Sequence, residues 1–555
     1  MRLIAIFLLL PITAAFSQLK DLQTKFTRAD TLRGMLTPLR TCYDVTHYNL
    51  DVKIDPATQS ISGSNTITFK AVSDFTQFQV DLFDNLSIDK IEWKGKSLAY
   101  TREYNAVFVT LPETVKKNSV QSVTISYNGK PAVAKHPPWD GGFIWTTDAT
   151  GKPWVAVACQ GFGASSWWPT KDHQSDEPDS MMISITVPKG LTNISNGRLR
   201  KVTELKDWTR YDWAVTYPIN NYNVTFNIGE FAHFSDKHGD LTLDYYVMPE
   251  NEKKAREQFK QVHGMMDCFE KHFGPYPFKR DGYKLVESPH LGMEHQTAVA
   301  YGNKFLNGYK GYGSSPEGIK FDFIIIHETA HEWWGNSVTS KDLADMWIHE
   351  SFGAYAEAVY AECMWGYDAG QRYVNGKKQD VKLDAAIIGT YGVNSEGSGD
   401  MYPKGALMLN TLRHVVNNDS LWWVIVRGIA TTFQYKTITT EDIVTYVNQQ
   451  SKMDLTYIFD QYLRRTPVPT LEITLRRKGN QNSMAYKWTA DVADFHMPAK
   501  VTLQKNKFDF IYPTATSQTM MLGDIDFNDF KADQQSYFIN VKIDKLYYDE
   551  HFKGF

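Results

Sequence analysis

From Thr41 onward, apolar and polar residues alternate along the chain. Tyr48, Leu50, Val52 and Ile54 form one apolar series with period two, and Val107, Val109 and Leu111 form another. Successive side chains of a strand point to opposite faces, so this spacing predicts half-buried strands. Phe78-Gln79-Val80-Asp81-Leu82 and Val123-Thr124-Ile125-Ser126-Tyr127 repeat the pattern, the second leading into an Asn128-Gly129 turn. The alternation holds to about Phe231 and predicts a mainly antiparallel first domain.

The period changes at Pro249. Glu252 to Phe273 carries apolar residues at helical spacing among Lys, Glu, Gln and Met, and it stops at Gly274-Pro275. Helical patterns then dominate to about Arg465. Ala406 to Val416 is one helix, and another begins at Thr439, capped with Asp442 three residues on. The prolines of Thr466-Pro467-Val468-Pro469 end this region, and Leu471-Glu472-Ile473-Thr474-Leu475 returns to period two. The expected plan is multidomain α+β. An N-terminal antiparallel β domain spans 41–235, a mostly helical domain 236–466, and a C-terminal β domain 467–555.

The first residues read as an export signal rather than as part of the fold. Arg2 precedes an apolar core from Leu3 to Ile12, and Ala15-Phe16-Ser17 places small residues where a signal peptidase cuts. Residues 1–17 are the expected signal peptide, 18–40 an N-terminal extension, and the product is periplasmic or secreted. The apolar run is too short to span a bilayer, and no later stretch approaches spanning length, so no integral membrane segment is expected in the mature chain. A formal net charge of −4 over 555 residues gives no electrostatic reason to expect nucleic acid. Cys42, Cys159, Cys268 and Cys363 lack the C-x-x-C spacing of a structural zinc site. Their spacing selects no disulfide, and isolated buried thiols are the commoner outcome in so long a chain. The oligomeric state is open, a homodimer included.

The chemistry concentrates in Phe323-Ile324-Ile325-Ile326-His327-Glu328-Thr329-Ala330-His331-Glu332-Trp333-Trp334, an apolar-led helix carrying H-E-x-x-H. Residues four apart share a helix face, so His327 and His331 can present imidazole nitrogens to one ion. A catalytic zinc usually takes three protein ligands and a water. Glu350 is the candidate third ligand. It lies off the apolar stripe of Ile348, Phe352, Tyr355 and Val359 on a second helix, beyond a polar turn at Ser340-Lys341-Asp342. Glu357 shares its face and is read either as orienting a ligand or as part of a solvated surface. Glu328 is placed to take a proton from a zinc-activated water.

H-E-x-x-H, eighteen residues, then Glu350 resembles the aminopeptidase N family of gluzincins, which includes the bifunctional leukotriene hydrolase. Trp347-Ile348-His349-Glu350-Ser351-Phe352-Gly353 is similar to that family's W-L-N-E-G-F-A signature. Gly292-Met293-Glu294-His295-Gln296 is similar to its G-x-M-E-N motif, sharing Met293-Glu294 with His295 at the Asn position, and Tyr402-Pro403-Lys404-Gly405 matches its Y-x-K-G element. Gly274-Pro275-Tyr276-Pro277-Phe278 and Cys159-Gln160 also have counterparts. The resemblance implies a saddle-like N-terminal β domain, a thermolysin-like catalytic domain and a C-terminal β-sandwich-like domain. The large C-terminal helical domain of many relatives is not expected.

The resemblance also implies roles. One Zn²⁺ per chain sits on His327, His331 and Glu350, with Glu328 as general base. Glu294 binds the free α-amino group of a peptide. Gly292 and Met293 line the first subsite, Gln160 contacts the N-terminal residue, and Tyr402 donates to the oxyanion. The partners are therefore peptides with a free N-terminus, cut at their first peptide bond. Two departures stand out: His295-Gln296 replaces the usual Asn and puts a histidine titrating near neutrality beside Glu294, and His349 replaces the Asn before Glu350, without consequence for ligation. The competing readings are a zinc endopeptidase, an epoxide hydrolase and a non-catalytic peptide-binding protein on the same fold.

Overall fold

A computed structural model describes residues 25–548; the expected signal segment, 1–17, lies outside the described residues. Tyr48, Leu50, Val52 and Ile54 are fully buried on one face of the strand Tyr43–Asp55. That strand pairs antiparallel with Ser60–Ala71, Leu50 opposite Asn65. On its other side it runs parallel to Ser180–Pro188, Leu50 opposite Ile183. This pair departs from the antiparallel expectation, and the long chain between the two strands makes it feasible. Both belong to an eight-stranded sheet, beside smaller sheets of three and four strands. Asn128-Gly129 does not turn the chain as expected. Both residues remain in the strand Val120–Gly129, with Gly129 opposite Ile61 and Leu86. Gly129 has φ of 151°, and a Cβ there would lie 2.8 Å from the Asn85 carbonyl oxygen. The glycine serves strand packing rather than a hairpin.

The central region is helical but rests on a mixed five-stranded sheet that periodicity did not reveal. Its order is Ala232–His238, Leu241–Val247, Tyr283–Glu287, Val299–Tyr301, Gly292–Met293, so Gly292–Met293 is an edge strand. The expected helix from Glu252 to Phe273 is two, Glu252–Gln258 and Gln261–Phe273. The break falls beside Phe259, whose ring enters a cluster with Tyr245, Tyr301 and Phe305. Tertiary packing of one aromatic overrides local helical preference there. The helix Thr440–Ser451 starts with the Thr439–Asp442 capping box, both reciprocal bonds formed. The C-terminal part is β-rich. Thr470–Lys478 pairs with Gln481–Thr489 and Asn540–Tyr548, and among the described residues no large helical unit follows.

Two apolar cores organise these parts. One lies among the N-terminal sheets, around Tyr48, Ile67, Trp167 and Trp168. The other joins the central helices to the C-terminal sheet, so Leu471, Ile473 and Trp488 share a core with Trp333 and Trp347. Contrary to the expectation of isolated thiols, Cys268 and Cys363 form a disulfide across two central helices, while Cys42 and Cys159 are free and buried. Their separation of 95 residues hides the pairing from sequence spacing. Among the described residues no helix is long and apolar enough to cross a membrane.

Arg40, just before the first long strand, is fully buried and pairs with Asp81 at 2.7 Å. Removing one member of a buried pair strands the other charge, a loss of about 3–5 kcal/mol. Arg40→Ala should therefore lower the stability of the N-terminal part by that order, read as an earlier unfolding midpoint in urea.

Candidate active site

His327 lies in the helix Phe323–Ala330, and His331 is its C-cap residue with helical φ and ψ. The helix is shorter than its sequence pattern suggests, because Glu332 and Trp333 close i→i−3 bonds to Thr329 and Ala330. The next long helix, Trp347–Trp365, brings up Glu350. Gly353 permits this approach, since a Cβ there would come within 3.0 Å of the His331 ring. The Nε2 atoms of His327 and His331 are 3.3 Å apart, and they lie 3.6 and 3.4 Å from Glu350 Oε2.

The far sides of both rings are fixed. His331 Nδ1 donates to the Trp334 carbonyl at 2.8 Å, which leaves the Nε2 lone pair facing Glu350. His327 Nδ1 donates to Glu357 Oε1 at 2.8 Å. Glu357 in turn accepts from Tyr373 Oη and Lys377 Nζ, each at 2.6 Å. Of the two readings of Glu357 the orienting one matches this geometry; its side chain is fully buried. Burial opposes its charge, but Lys377 and His327 prevail and hold its pKa below the ordinary range.

This donor set fits a cation. Glu350 Oε2 is buried with no hydrogen-bond donor in reach of normal geometry, a costly arrangement unless positive charge compensates it. The local field favours such charge. Burial works against protonation of His327, yet Glu350 and Glu357 push its pKa up to about 10. His331 behaves likewise beside Glu350, up to about 9. Two imidazole nitrogens and a carboxylate are also the ligand chemistry zinc accepts.

Glu294 follows the edge strand Gly292–Met293. Its Oε1 accepts from Gln160 Nε2 at 2.5 Å and Tyr222 Oη at 3.0 Å, both from the N-terminal part. Glu332, next to the motif, anchors the loop beyond: its carboxylate accepts from Thr297 N, Asn336 Nδ2 and Tyr276 Oη at 2.9, 3.1 and 2.6 Å. Burial raises the pKa of Glu294, and it carries that of Glu328 up to about 8 despite nearby His327. A Cβ on Gly292 would lie 2.6 Å from Glu328 Oε1, so the glycine gives that carboxylate its space. Tyr402 begins the helix Pro403–Val416, its ring centroid 6.0 Å from that of His327, with 39% of its surface exposed. Lys404 holds this turn by donating to the carbonyls of Arg465 and Thr466 at 2.7 and 3.0 Å.

All nine residues singled out in the sequence, Gln160, Gly292, Met293, Glu294, His327, Glu328, His331, Glu350 and Tyr402, line one cleft of about 1220 Å³. The expectation for His295 fails. Its ring is buried with neither nitrogen partnered, and burial, then the charge on His290, pushes its pKa well below the ordinary value. It does not titrate near neutrality. His349 is not idle either: its Nε2 accepts from Ser340 N at 2.8 Å, tying the strand Val338–Ser340 to the start of the helix that carries Glu350. Sequence reasoning missed the helix Arg28–Gly34, whose Asp30 and Arg33 line the cleft. Arg33 donates to the carbonyls of Gly161 and Phe162, just past Gln160. Its only signal was the Thr27-Arg28-Ala29-Asp30 cap.

Residues 257–462 match the Peptidase family M1 domain and residues 45–222 the Peptidase M1 N-terminal domain. The chain belongs to peptidase family M1. Among M1 relatives, the probable aminopeptidase 2 of Sulfurisphaera tokodaii is 20% identical over 434 residues, 72% of this chain and 53% of the relative. Human glutamyl aminopeptidase is 23% identical over 321 residues, 54% of this chain and 33% of that protein. The chain thus spans about a third to a half of the curated relatives it matches. A mutant M1 zinc metallopeptidase from Deinococcus radiodurans, solved with a Tyr-Ser-Ala substrate, superposes with a TM-score of 0.63 at 21% identity. That match covers 76% of this chain and 94% of the other, and it establishes a shared M1 fold.

Two outcomes follow. Glu357→Gln should weaken zinc binding about 10–100-fold, as loss of a ligand-orienting carboxylate does, measured by titration against a competing chelator. His290 is buried with both ring nitrogens unpartnered, and burial takes its pKa down to about 4. Between about pH 6.5 and 4 the unfolded chain binds a proton there that the native chain refuses, so stability contributed by this site is lost as pH falls. His290→Asn should lose less stability than the parent across that window, measured by urea unfolding at each pH.

Proposed function

We propose that this M1 protein is an exported zinc aminopeptidase that hydrolyses the N-terminal peptide bond of oligopeptides. The observation that carries the reading is Glu294, a buried carboxylate at the cleft wall beside the ligand cluster, with Gln160 converging on it. A positive α-amino group meets its counter-charge there, whereas a blocked amine brings no charge to offset that buried carboxylate. The names of the M1 relatives as aminopeptidases support the same reading. So does the disulfide, which suits an oxidising compartment beyond the cytoplasm.

One zinc ion per chain, held by His327, His331 and Glu350, would supply a Lewis acid that polarises the scissile carbonyl and makes water a nucleophile near neutral pH. Glu328, free of the ligand set and given room by Gly292, takes the proton from the attacking water and passes it to the leaving amine. Glu294 and Gln160 fix the substrate's N-terminus, and Gly292 and Met293 form the wall of its first subsite. Their edge strand offers main-chain groups for an extended peptide to pair with. Tyr402 donates its hydroxyl hydrogen to the carbonyl oxygen as negative charge develops, holding charge that water would otherwise solvate. An endopeptidase would not need Glu294 in this place, and a peptide-binding protein would not need Glu328 or Tyr402.

Amino-acid anilides with free amines should be cleaved, and their N-acetylated forms should not, with activity lost to a zinc chelator. Equal cleavage of both forms contradicts the aminopeptidase reading; zinc-loaded protein that cleaves neither points to a binding protein. Tyr402→Phe should lower kcat about 10²–10³-fold, equivalent to about 2.7–4 kcal/mol, with zinc retained. Glu294→Ala should keep its zinc and lose discrimination against the blocked amine.

A further inference from the structure

The cleft has two chemically different ends. Glu294 lies on the His331 side: Asn336 donates its backbone amide to the His331 carbonyl at 2.9 Å and its side-chain amide to the Glu294 carbonyl at 2.8 Å. On the His327 side the wall is aromatic. Phe323 stacks on the His327 ring with centroids 5.1 Å apart, and Tyr309 meets Phe323 edge-on at 5.3 Å. The Lys310 ammonium lies 5.3 Å from the Tyr309 ring and 4.9 Å from that of Trp139. Trp139 comes from the N-terminal part and is 64% exposed; Tyr312, at the same rim, is 79% exposed. Large aromatics left this open beside a cleft mark a surface that binds something.

The rim is built rather than draped. Asn303, almost fully buried, donates to the carbonyls of Leu306 and Gly308 and accepts from the Lys310 amide at 3.0 Å. It also donates to Asp322 at 2.8 Å, the residue that caps the helix bearing His327. Tyr309 and Tyr312 exchange backbone hydrogen bonds at 2.8 and 3.0 Å. The loop that presents the aromatics is therefore pinned to the ligand-bearing helix. No carboxylate is paired with the exposed Lys310 among the described residues; its ammonium lies over two ring surfaces.

We infer that the ladder Phe323–Tyr309–Lys310–Trp139 is an extended subsite for the part of a peptide that follows the scissile bond, favouring aromatic or large apolar residues and a free C-terminal carboxylate at Lys310. The inference rests on the peptidase reading. With Glu294 holding the amine on one side of the ligands, the remainder of the peptide leaves on the other, along the aromatic wall. Four steps of about 5 Å accommodate at most about six residues of extended chain at roughly 3.3 Å each, so the subsite suits short peptides. Ring faces recognise apolar and aromatic side chains, and an ammonium already lodged against two rings meets a carboxylate with little loss of side-chain freedom.

The test compares Leu-Phe-Phe, Leu-Gly-Gly, Leu-Phe-Phe amide and leucine amide, which has nothing beyond the cleaved bond. The parent should prefer Leu-Phe-Phe to Leu-Gly-Gly by tenfold or more in kcat/KM. Trp139→Ala should shrink that ratio at least threefold, and Lys310→Ala should erase the preference for Leu-Phe-Phe over its C-terminal amide. A parent indifferent to the downstream residues, or variants that keep the parent's ratios, overturns the subsite. Failure of the peptidase reading appears separately, as no hydrolysis even of leucine amide. In that event calorimetry of Leu-Phe-Phe with zinc-loaded Glu328→Gln protein decides: binding weakened about tenfold by Trp139→Ala sustains the subsite, and unchanged binding overturns it.

Discussion

Burying carboxylates beside one another is costly unless each meets donors or positive charge. This chain packs Glu294, Glu328, Glu332, Glu350 and Glu357 around two histidines, all of them buried. Four are compensated, each differently, while burial raises the pKa of Glu328. Glu357 has Lys377, Tyr373 and His327; Glu332 has Tyr276, Asn336 and the Thr297 amide; Glu294 has Gln160 and Tyr222. Glu350 Oε2 alone in this group faces only the two imidazoles, and a cation among them completes the set. The hydrogen bonds to Glu357 and to the Trp334 carbonyl then act as fixed pivots that keep both Nε2 atoms aimed inward.

Compensation also binds the parts of the molecule together. Gln160 and Tyr222 reach Glu294 from the N-terminal sheets, and Asn223 holds Asn336, which donates to the Glu294 carbonyl. The helix Arg28–Gly34 packs over the same region: a Cβ on Gly34 would collide with the backbone of Val393 and Asn394, and Arg33 grips the turn after Gln160. The Glu294 end of the cleft is thus assembled from residues far apart in the chain. Its precision depends on the contact between the N-terminal sheets and the central helices.

That distinction explains what could be read in the sequence. His327, His331 and Glu350 were legible because the first two are one helical turn apart and the third lies on the next long helix, where spacing translates directly into direction. The strands of the first sheet were legible for the same reason. Contacts without a local period were not. Glu332 meets Thr297 across 35 residues, Arg33 meets Gly161 across 128, and Cys268 joins Cys363 across 95. Local signals also misled where tertiary packing took over. Asn128-Gly129 reads as a turn yet stays in a strand, and the helix from Glu252 breaks so that Phe259 can join an aromatic cluster. His295 reads as a titrating group, but burial decides its charge, and burial is not written in its neighbours.

The central claim is that two oriented imidazoles and one otherwise uncompensated carboxylate form a single zinc centre. Anomalous scattering from crystals of the zinc-loaded protein, measured on either side of the zinc absorption edge, tests it most directly. The account predicts one strong zinc peak per chain, enclosed by His327, His331 and Glu350, that disappears in Glu350→Ala crystals grown at the same zinc concentration. A peak elsewhere in the cleft, or one that persists at full strength without Glu350, would contradict it.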